Sequence, residues 1–190
     1  MNIYLLRHGE TDWNLEGRLQ GHEDIGMNQN GINQIEKAAE VLAGCMQNVD
    51  IIISSPLSRA RKSAEIVAGR LDYKKEDIVT EPLFIERGFG LGEGLDYEEK
   101  KKRCTDDMYP GMEPLEELIG RAGLAFHNIL KKYNAQNVIV AAHGAILKAV
   151  LKMCIRDRYS SGIPESGYWL PFTGRNNRKQ RIFQSQASGI

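Results

Sequence analysis

The sequence predicts a three-layer α/β/α fold with a mainly parallel central sheet, built as a single domain over residues 1–190. Three observations predict it. Short apolar runs alternate along the chain with longer stretches of helical periodicity, the pattern of strands covered on both faces by helices. The best-defined runs end abruptly in Arg7-His8 and His143-Gly144, and the carboxyl ends of parallel strands share the sheet edge where open α/β folds bind ligands. Finally, 190 residues with 42% hydrophobic and 26% charged content suit one ordinary globular domain. Folding at that size buries roughly 70% of the unfolded surface, enough for a full core.

The first run, Ile3-Tyr4-Leu5-Leu6, predicts a buried strand, ending in Arg7-His8-Gly9-Glu10-Thr11. Residues 9–27, rich in Gly, Asn, Asp and Glu, predict a long functional loop. Asn28 is placed to cap a helix running to about Ala43, with Ile32, Ile35, Ala39 and Leu42 on one face and Gly44 ending it. Asp50 to Ser55 is a second buried strand, rich in β-branched residues. Pro56 opens the next helix, which runs to about Leu71 with Ala60, Ala64, Ile66 and Val67 available for packing. Asp77 to Phe84 predicts a third, shorter strand. Residues 86–94 carry Gly88, Gly90, Gly92 and Gly94 and predict a loop with unusual backbone angles. A short charged helix follows over Asp96 to Cys104, broken by Tyr109-Pro110-Gly111. A long helix starts near Pro114 and reaches about Lys132, with Leu118, Ala122, Ala125, Phe126, Ile129 and Leu130 facing inward. Asn137 to Ala142 is the fourth strand, and Ala145 to about Met153 is again helical. The tail is the least regular part: Tyr168 to Phe172 predicts an edge strand and Gln180 to Gln184 another. There is no internal repeat, low-complexity tract or linker.

Composition excludes several classes. Net charge is zero, with 25 basic against 25 acidic residues, so no global basic field points to nucleic acid or to a membrane. Any anion site must come from a few placed arginines. No run approaches the ~18 apolar residues of a membrane span. The N-terminus enters a strand at once, which leaves no room for a signal peptide. Cys45, Cys104 and Cys154 are odd in number and widely spaced, which predicts reduced thiols and a cytoplasmic location. The glycines at 88–94 have the wrong spacing for a dinucleotide fingerprint, and none follows the first strand.

Three segments carry phosphate-competent side chains to the predicted sheet edge: Arg7-His8, Arg59 at the head of the helix after the second strand, and His143-Gly144. Two arginines, two histidines and a helix N-terminus aimed at one point make a dianion site. The set resembles the histidine phosphatase superfamily, which includes the cofactor-dependent phosphoglycerate mutases. The resemblance is carried in order by Leu6-Arg7-His8-Gly9-Glu10-Thr11, Asn14, and Gly17-Arg18-Leu19-Gln20-Gly21. It continues in Ser55-Pro56-Leu57-Ser58-Arg59-Ala60, in Glu86 ahead of Phe89-Gly90 and Glu93-Gly94, and in Ala142-His143-Gly144. It spans roughly Met1 to Leu151.

The resemblance implies that His8 attacks phosphorus through a ring nitrogen and forms a phosphohistidine. Attack needs the neutral imidazole, and neighbouring guanidinium charge disfavours the protonated form. Arg7, Arg59 and His143 are then the groups that hold the phosphoryl oxygens. Glu86 is the candidate acid that protonates the leaving alcohol and then activates water, with Glu93 and Glu81 as alternatives. Asn14, Gln20, Gly21 and Gly144 complete the implied substrate-binding set. No metal and no cofactor are implied, because arginines supply the charge that Mg²⁺ supplies elsewhere. The implied partner is a small phosphorylated metabolite. Glu10 reads as a structural partner orienting an arginine or a backbone amide. His22 reads equally as a substrate contact or an exposed loop residue, and His127 as surface. Lys100, Lys101, Lys102 and Arg103 read as a solvated helix face, with steering of anions as the alternative.

Two departures from the family pattern stand out. The family's frequent Gly-Glu-Ser is here Gly111-Met112-Glu113-Pro114, and an asparagine common after the last strand is replaced in Pro164-Glu165-Ser166-Gly167. The mutases also carry a longer insertion before the last strand, whereas 50 residues separate Glu93 from His143 here and none reads as extra lid. An open site admits water to a phosphohistidine and favours hydrolysis. A metal-independent phosphatase is therefore expected ahead of a mutase, and both ahead of a phospho-ligand binding protein that has lost turnover.

Overall fold

The structure is a computed structural model that describes residues 1–103, 108–154, 168–169, 171–173 and 183–184. Four strands form its parallel sheet: β1 (Asn2–Arg7), β2 (Ile51–Ser54), β3 (Val79–Thr80) and β4 (Asn137–Ala142). Their spatial order is β3-β2-β4-β1, and β6 (Pro171–Thr173) adds antiparallel to the outer edge of β1. Two further short strands, β5 (Tyr168–Trp169) and β7 (Phe183–Gln184), pair with each other in a separate small sheet. The helices are α1 (Asp12–Leu15), α2 (Gln29–Cys45), α3 (Ser58–Arg70), α4 (Tyr97–Arg103), α5 (Leu115–Lys132) and α6 (Gly144–Cys154).

Each inner strand is apolar on both faces because each face has its own core. Ile3 and Leu5 of β1 and Val138 and Val140 of β4 pack with Leu118, Ala122, Phe126 and Ile129 of α5 and Ile146 and Val150 of α6. Tyr4, Leu6, Ile139 and Ala141 point the other way, onto Ile35, Ala39 and Leu42 of α2 and Ala64, Val67 and Ala68 of α3. This is the three-layer α/β/α arrangement expected.

Several local expectations shift. The loop over residues 9–27 contains α1, capped by Thr11, whose Oγ1 accepts from Asn14 N–H while Asn14 Oδ1 accepts from Thr11 N–H. Gly44 does not end α2: the helix runs through it to Cys45, and Met46 leaves in extended conformation with its side chain in the core. Pro56 lies outside α3, which starts at Ser58 after an extended Leu57, and Asp24 Oδ1 accepts the Ser58 N–H at 2.7 Å in place of a local cap. The third strand shrinks to two residues between 3-10 turns at Lys75–Asp77 and Pro82–Phe84. Leu130 faces solvent, 49% exposed, one position past the buried stripe that ends at Ile129. Cys104, Glu165 and the start of the Gln180 strand lie outside the described residues.

Candidate active site

The parallel register assembles the site. Arg7 pairs with Ala142 and Ser54 with Ala141, so the next residue of each strand, His8, His143 and Ser55, emerges at the same sheet edge. Backbone bonds extend the ladder one step further, from His8 N–H to Ala142 O at 3.0 Å and from Ser55 N–H to Ala141 O at 2.9 Å. The His8 and His143 rings lie 5.2 Å apart, centroid to centroid, tilted by 58°.

His8 Nδ1 lies 2.7 Å from the carbonyl oxygen of Gly9. A carbonyl only accepts, so Nδ1 carries the proton and Nε2 carries the lone pair. Burial drives the pKa of His8 down to about 3, helped by the charges of Arg59 and Arg7 and opposed by the Gly9 bond. The ring is therefore neutral across the physiological range. His143 is completely buried, and its pKa is also pushed well below normal, first by burial and then by His8, Arg59 and Arg7. Its Nε2 lies 2.7 Å from Ser55 Oγ, and that oxygen accepts from Leu57 N–H.

Arg59 has no exposed surface. Its Nη1 donates to Glu23 O at 2.7 Å and its Nη2 to Gly21 O at 2.8 Å, which fixes the guanidinium and the 20–24 loop together. Burial lowers its pKa below the usual arginine range, while Glu86, Asp24 and Glu93 act to hold the charge. Gly21 has a φ of +53°, and a Cβ there would run into the carboxylate of Glu93. Glu93 Oε1 in turn accepts from His22 N–H and Phe89 N–H, at 3.0 and 2.9 Å, so Glu93 ties two loops together.

Glu86 is buried against the N-terminus of α6. Its Oε1 accepts from Arg87 N–H at 2.9 Å, Ala145 N–H at 3.1 Å and Ile146 N–H at 3.2 Å, and Oε2 only shares the Ala145 N–H. Oε2 is thus the oxygen with room for a proton. Glu81, by contrast, caps the adjacent 3-10 turn through Leu83 N–H.

These groups surround a cavity of about 460 Å³ walled by Arg7, His8, Asn14, Gln20, Gly21, Arg59, Glu86 and Gly144, all named by the sequence. His143 stands outside that wall. Three buried polar atoms have no partner among the described residues: Gln20 Oε1 and Arg59 Nε on wall residues, and His143 Nδ1 behind the wall. An orphaned buried polar atom costs about 1–3 kcal/mol unless a ligand satisfies it. Asn14 offers the cavity its amide NH₂, since Oδ1 is engaged by Thr11.

The remaining wall is Gly17, Arg18, Leu19 and Phe89, motif residues to which the sequence assigns no role, and Ala145 and Lys148, which the sequence does not single out. Helical spacing was the signal for the last, since Gly144, Ala145 and Lys148 share a face of α6. Ser55 belongs to the motif, which assigns it no role. Glu10 is structural, though it accepts from the side-chain amides of Asn28 and Asn30. His22 is exposed, and its Nε2 donates to Glu86 O at 2.8 Å. His127 is exposed on α5. Lys100 Nζ donates to Gly17 O at 2.6 Å, at the cavity wall. Glu113, in the departure from Gly-Glu-Ser, forms an ion pair with Arg121 at 2.8 Å. Among the described residues, no three His, Cys, Asp or Glu side chains are grouped to hold a metal ion. Nor is any helix long and apolar enough to cross a membrane.

The family model of the histidine phosphatase superfamily (branch 1) matches residues 3–162. The chain is 39% identical over 163 residues to an uncharacterized phosphatase, PhoE, of Bacillus subtilis, covering 86% of this chain and 79% of that one. It is 32% identical over 160 residues to phosphoglycerate mutase-like protein 4 of Arabidopsis thaliana, covering 78% and 68%. Among solved structures, it superposes with a TM-score of 0.70 and 29% identity on a mutant phosphoserine phosphatase of Entamoeba histolytica in complex with phosphoserine, covering 92% and 91%.

Proposed function

The chain belongs to the histidine phosphatase superfamily, and from that membership we propose that it is a metal-independent phosphomonoesterase working through a phosphohistidine on His8. The observation that carries this reading is the bond from His8 Nδ1 to Gly9 O, which leaves a neutral ring on the cavity wall with its lone pair on Nε2. In the first step Nε2 bonds to phosphorus, the P–O ester bond breaks, and the leaving oxygen takes a proton from Glu86 Oε2. In the second, water gives a proton back to Glu86 as its oxygen bonds to phosphorus. The N–P bond breaks and inorganic phosphate leaves. Arg7 and Arg59 offset the charge on the phosphoryl oxygens throughout, and His143 supports His8 from behind the wall.

Hydrolysis is favoured over phosphoryl return because the described chain between Gly94 and His143 consists of α4, a turn, α5 and β4, with no long lid to exclude water. The substrate is a small phosphorylated metabolite. The phosphoserine of the Entamoeba complex is one candidate for a first panel. One 190-residue domain in the cytoplasm belongs to the same proposal.

The test is release of p-nitrophenol from p-nitrophenyl phosphate in excess EDTA. Activity should persist with chelator and disappear in His8→Ala, and an acid-labile phosphoryl adduct should map to His8. Efficient interconversion of 2- and 3-phosphoglycerate with little phosphate release would make it a mutase. Phosphate binding without turnover would make it a binding protein.

A further inference from the structure

The segment that carries Glu86 is gripped from outside the cavity by one guanidinium. Arg121, in the second turn of α5, uses all five of its N–H donors there. Nε and Nη2 donate to the two carboxylate oxygens of Glu113, at 2.9 and 2.8 Å. Nη1 donates to the carbonyls of Leu83 and Ile85, both at 2.7 Å, and Nη2 also donates to Glu86 O at 3.3 Å. Glu113 closes the ring from the other side. Its N–H donates to Gly88 O at 2.8 Å, its carboxylate accepts from Gly88 N–H at 3.3 Å, and its carbonyl accepts from Arg87 Nε at 2.9 Å. Burial works to raise the pKa of Glu113, but the bonds and charge of Arg121 outweigh it and hold the carboxyl below its ordinary range. Glu113 therefore stays ionised through neutral pH.

We propose that Arg121 and Glu113 are positioning residues for Glu86, fixing the backbone of residues 83–88 so that its carboxyl stays at the N-terminus of α6, facing the leaving group. This rests on the reading of Glu86 as the acid. Neither partner belongs to the cavity wall, so neither is placed to touch the substrate. A glutamate has three rotatable side-chain bonds, and a backbone free to move by an ångström would lose the Ala145 and Ile146 bonds and misplace the proton. The role has a signature that general structural support lacks. An alkoxide needs the proton as it leaves, whereas p-nitrophenolate departs without one.

The experiment compares kcat/KM, which reports the first P–O cleavage, for p-nitrophenyl phosphate and for glycerol 2-phosphate. Glu86→Gln should lose about 10²-fold or more on the alkyl ester and far less on the aryl ester. Arg121→Met should show the same selectivity, at least about tenfold on the alkyl ester and within about threefold on the aryl ester. A burst of p-nitrophenol should precede slow turnover, because activation of water also suffers. The double variant should be no slower than Glu86→Gln. Equal losses on both esters, or losses that multiply in the double variant, overturn the positioning role and leave Glu86 as the acid. No leaving-group selectivity in Glu86→Gln itself overturns the acid assignment, and the positioning role with it. If Arg121→Met does not fold, Glu113→Gln removes the charge pair at constant shape and must show the same selectivity for the proposal to stand.

Discussion

Held neutral in the folded chain, His8 takes up a proton near pH 3, whereas the same ring in the unfolded chain does so near its ordinary 6.5. Between those limits the unfolded chain binds more protons, so the free energy of unfolding falls as pH falls. One such ring gives a slope of about 1.4 kcal/mol per pH unit. His143 is displaced in the same direction and steepens the fall. Urea unfolding between pH 6 and 4 should therefore be shallower in His8→Gln by about that slope, with no difference in pH dependence above pH 7. Equal slopes would mean that His8 is not buried neutral. At this scale most of the site was legible, because Arg7 and His8 close the first strand, His143 follows the fourth and Arg59 lies at the head of a helix, all ends that can be read from apolar periodicity. Ser55 and Arg121 were not legible as partners. Ser55 reaches His143 across 88 positions, and Arg121 reaches the Glu86 carbonyl across 35. Such pairings are set by sheet order and helix packing, neither of which leaves a local pattern.

Elements meet the site through backbone as well as side chains. The turn after β1 and the first turn of α2 touch at two glycines: a Cβ on Gly9 would run into the Gly31 carbonyl, and one on Gly31 into the Glu10 backbone. Neither residue needs a left-handed φ, so the requirement is for close approach alone. Gly31→Ala should destabilise by about 1–3 kcal/mol, as overpacking does, and should also lower activity by displacing the His8 turn. Gly120, in α5 with nothing within 4 Å of its would-be Cβ, is the matched control. There alanine should stabilise by up to about 1 kcal/mol. Urea midpoints of the two variants moving in opposite directions would confirm the contact, and both rising would refute it. Long amphipathic helices and buried strands were readable because their periodicity runs for many residues. The four-residue α1 is too short to show a period, and its cap closes on Asn14 where Glu or Gln is the usual sign. Leu130 faces solvent because the buried positions Ala122, Ala125, Phe126 and Ile129 already complete the stripe.

The whole molecule carries no net charge, yet its cavity wall holds Arg7, Arg18, Arg59 and Lys148 against the single carboxylate of Glu86. Attraction of a phosphate ester is therefore local. Beyond about 8 Å at physiological ionic strength the surrounding charges are screened and, being balanced, offer little pull. The four cations are not equivalent. Arg18 is paired with Glu16 at 2.6 Å, and Arg59 is sealed from solvent, whereas Lys148 is exposed at the wall. Mobile ions reach the exposed charge and not the buried one. Raising ionic strength should thus raise KM several-fold while kcat changes far less, since Arg59, proposed to hold the reacting phosphoryl group, lies beyond salt's reach. Lys148→Met should raise KM at low salt and flatten its salt dependence, with kcat within about twofold of the parent. Steady-state kinetics on p-nitrophenyl phosphate from low to moderate salt measure both. A kcat that falls with salt, at constant KM, would mean that the reacting phosphoryl group sits among solvent-exposed charges and that Arg59 is not the cation holding it.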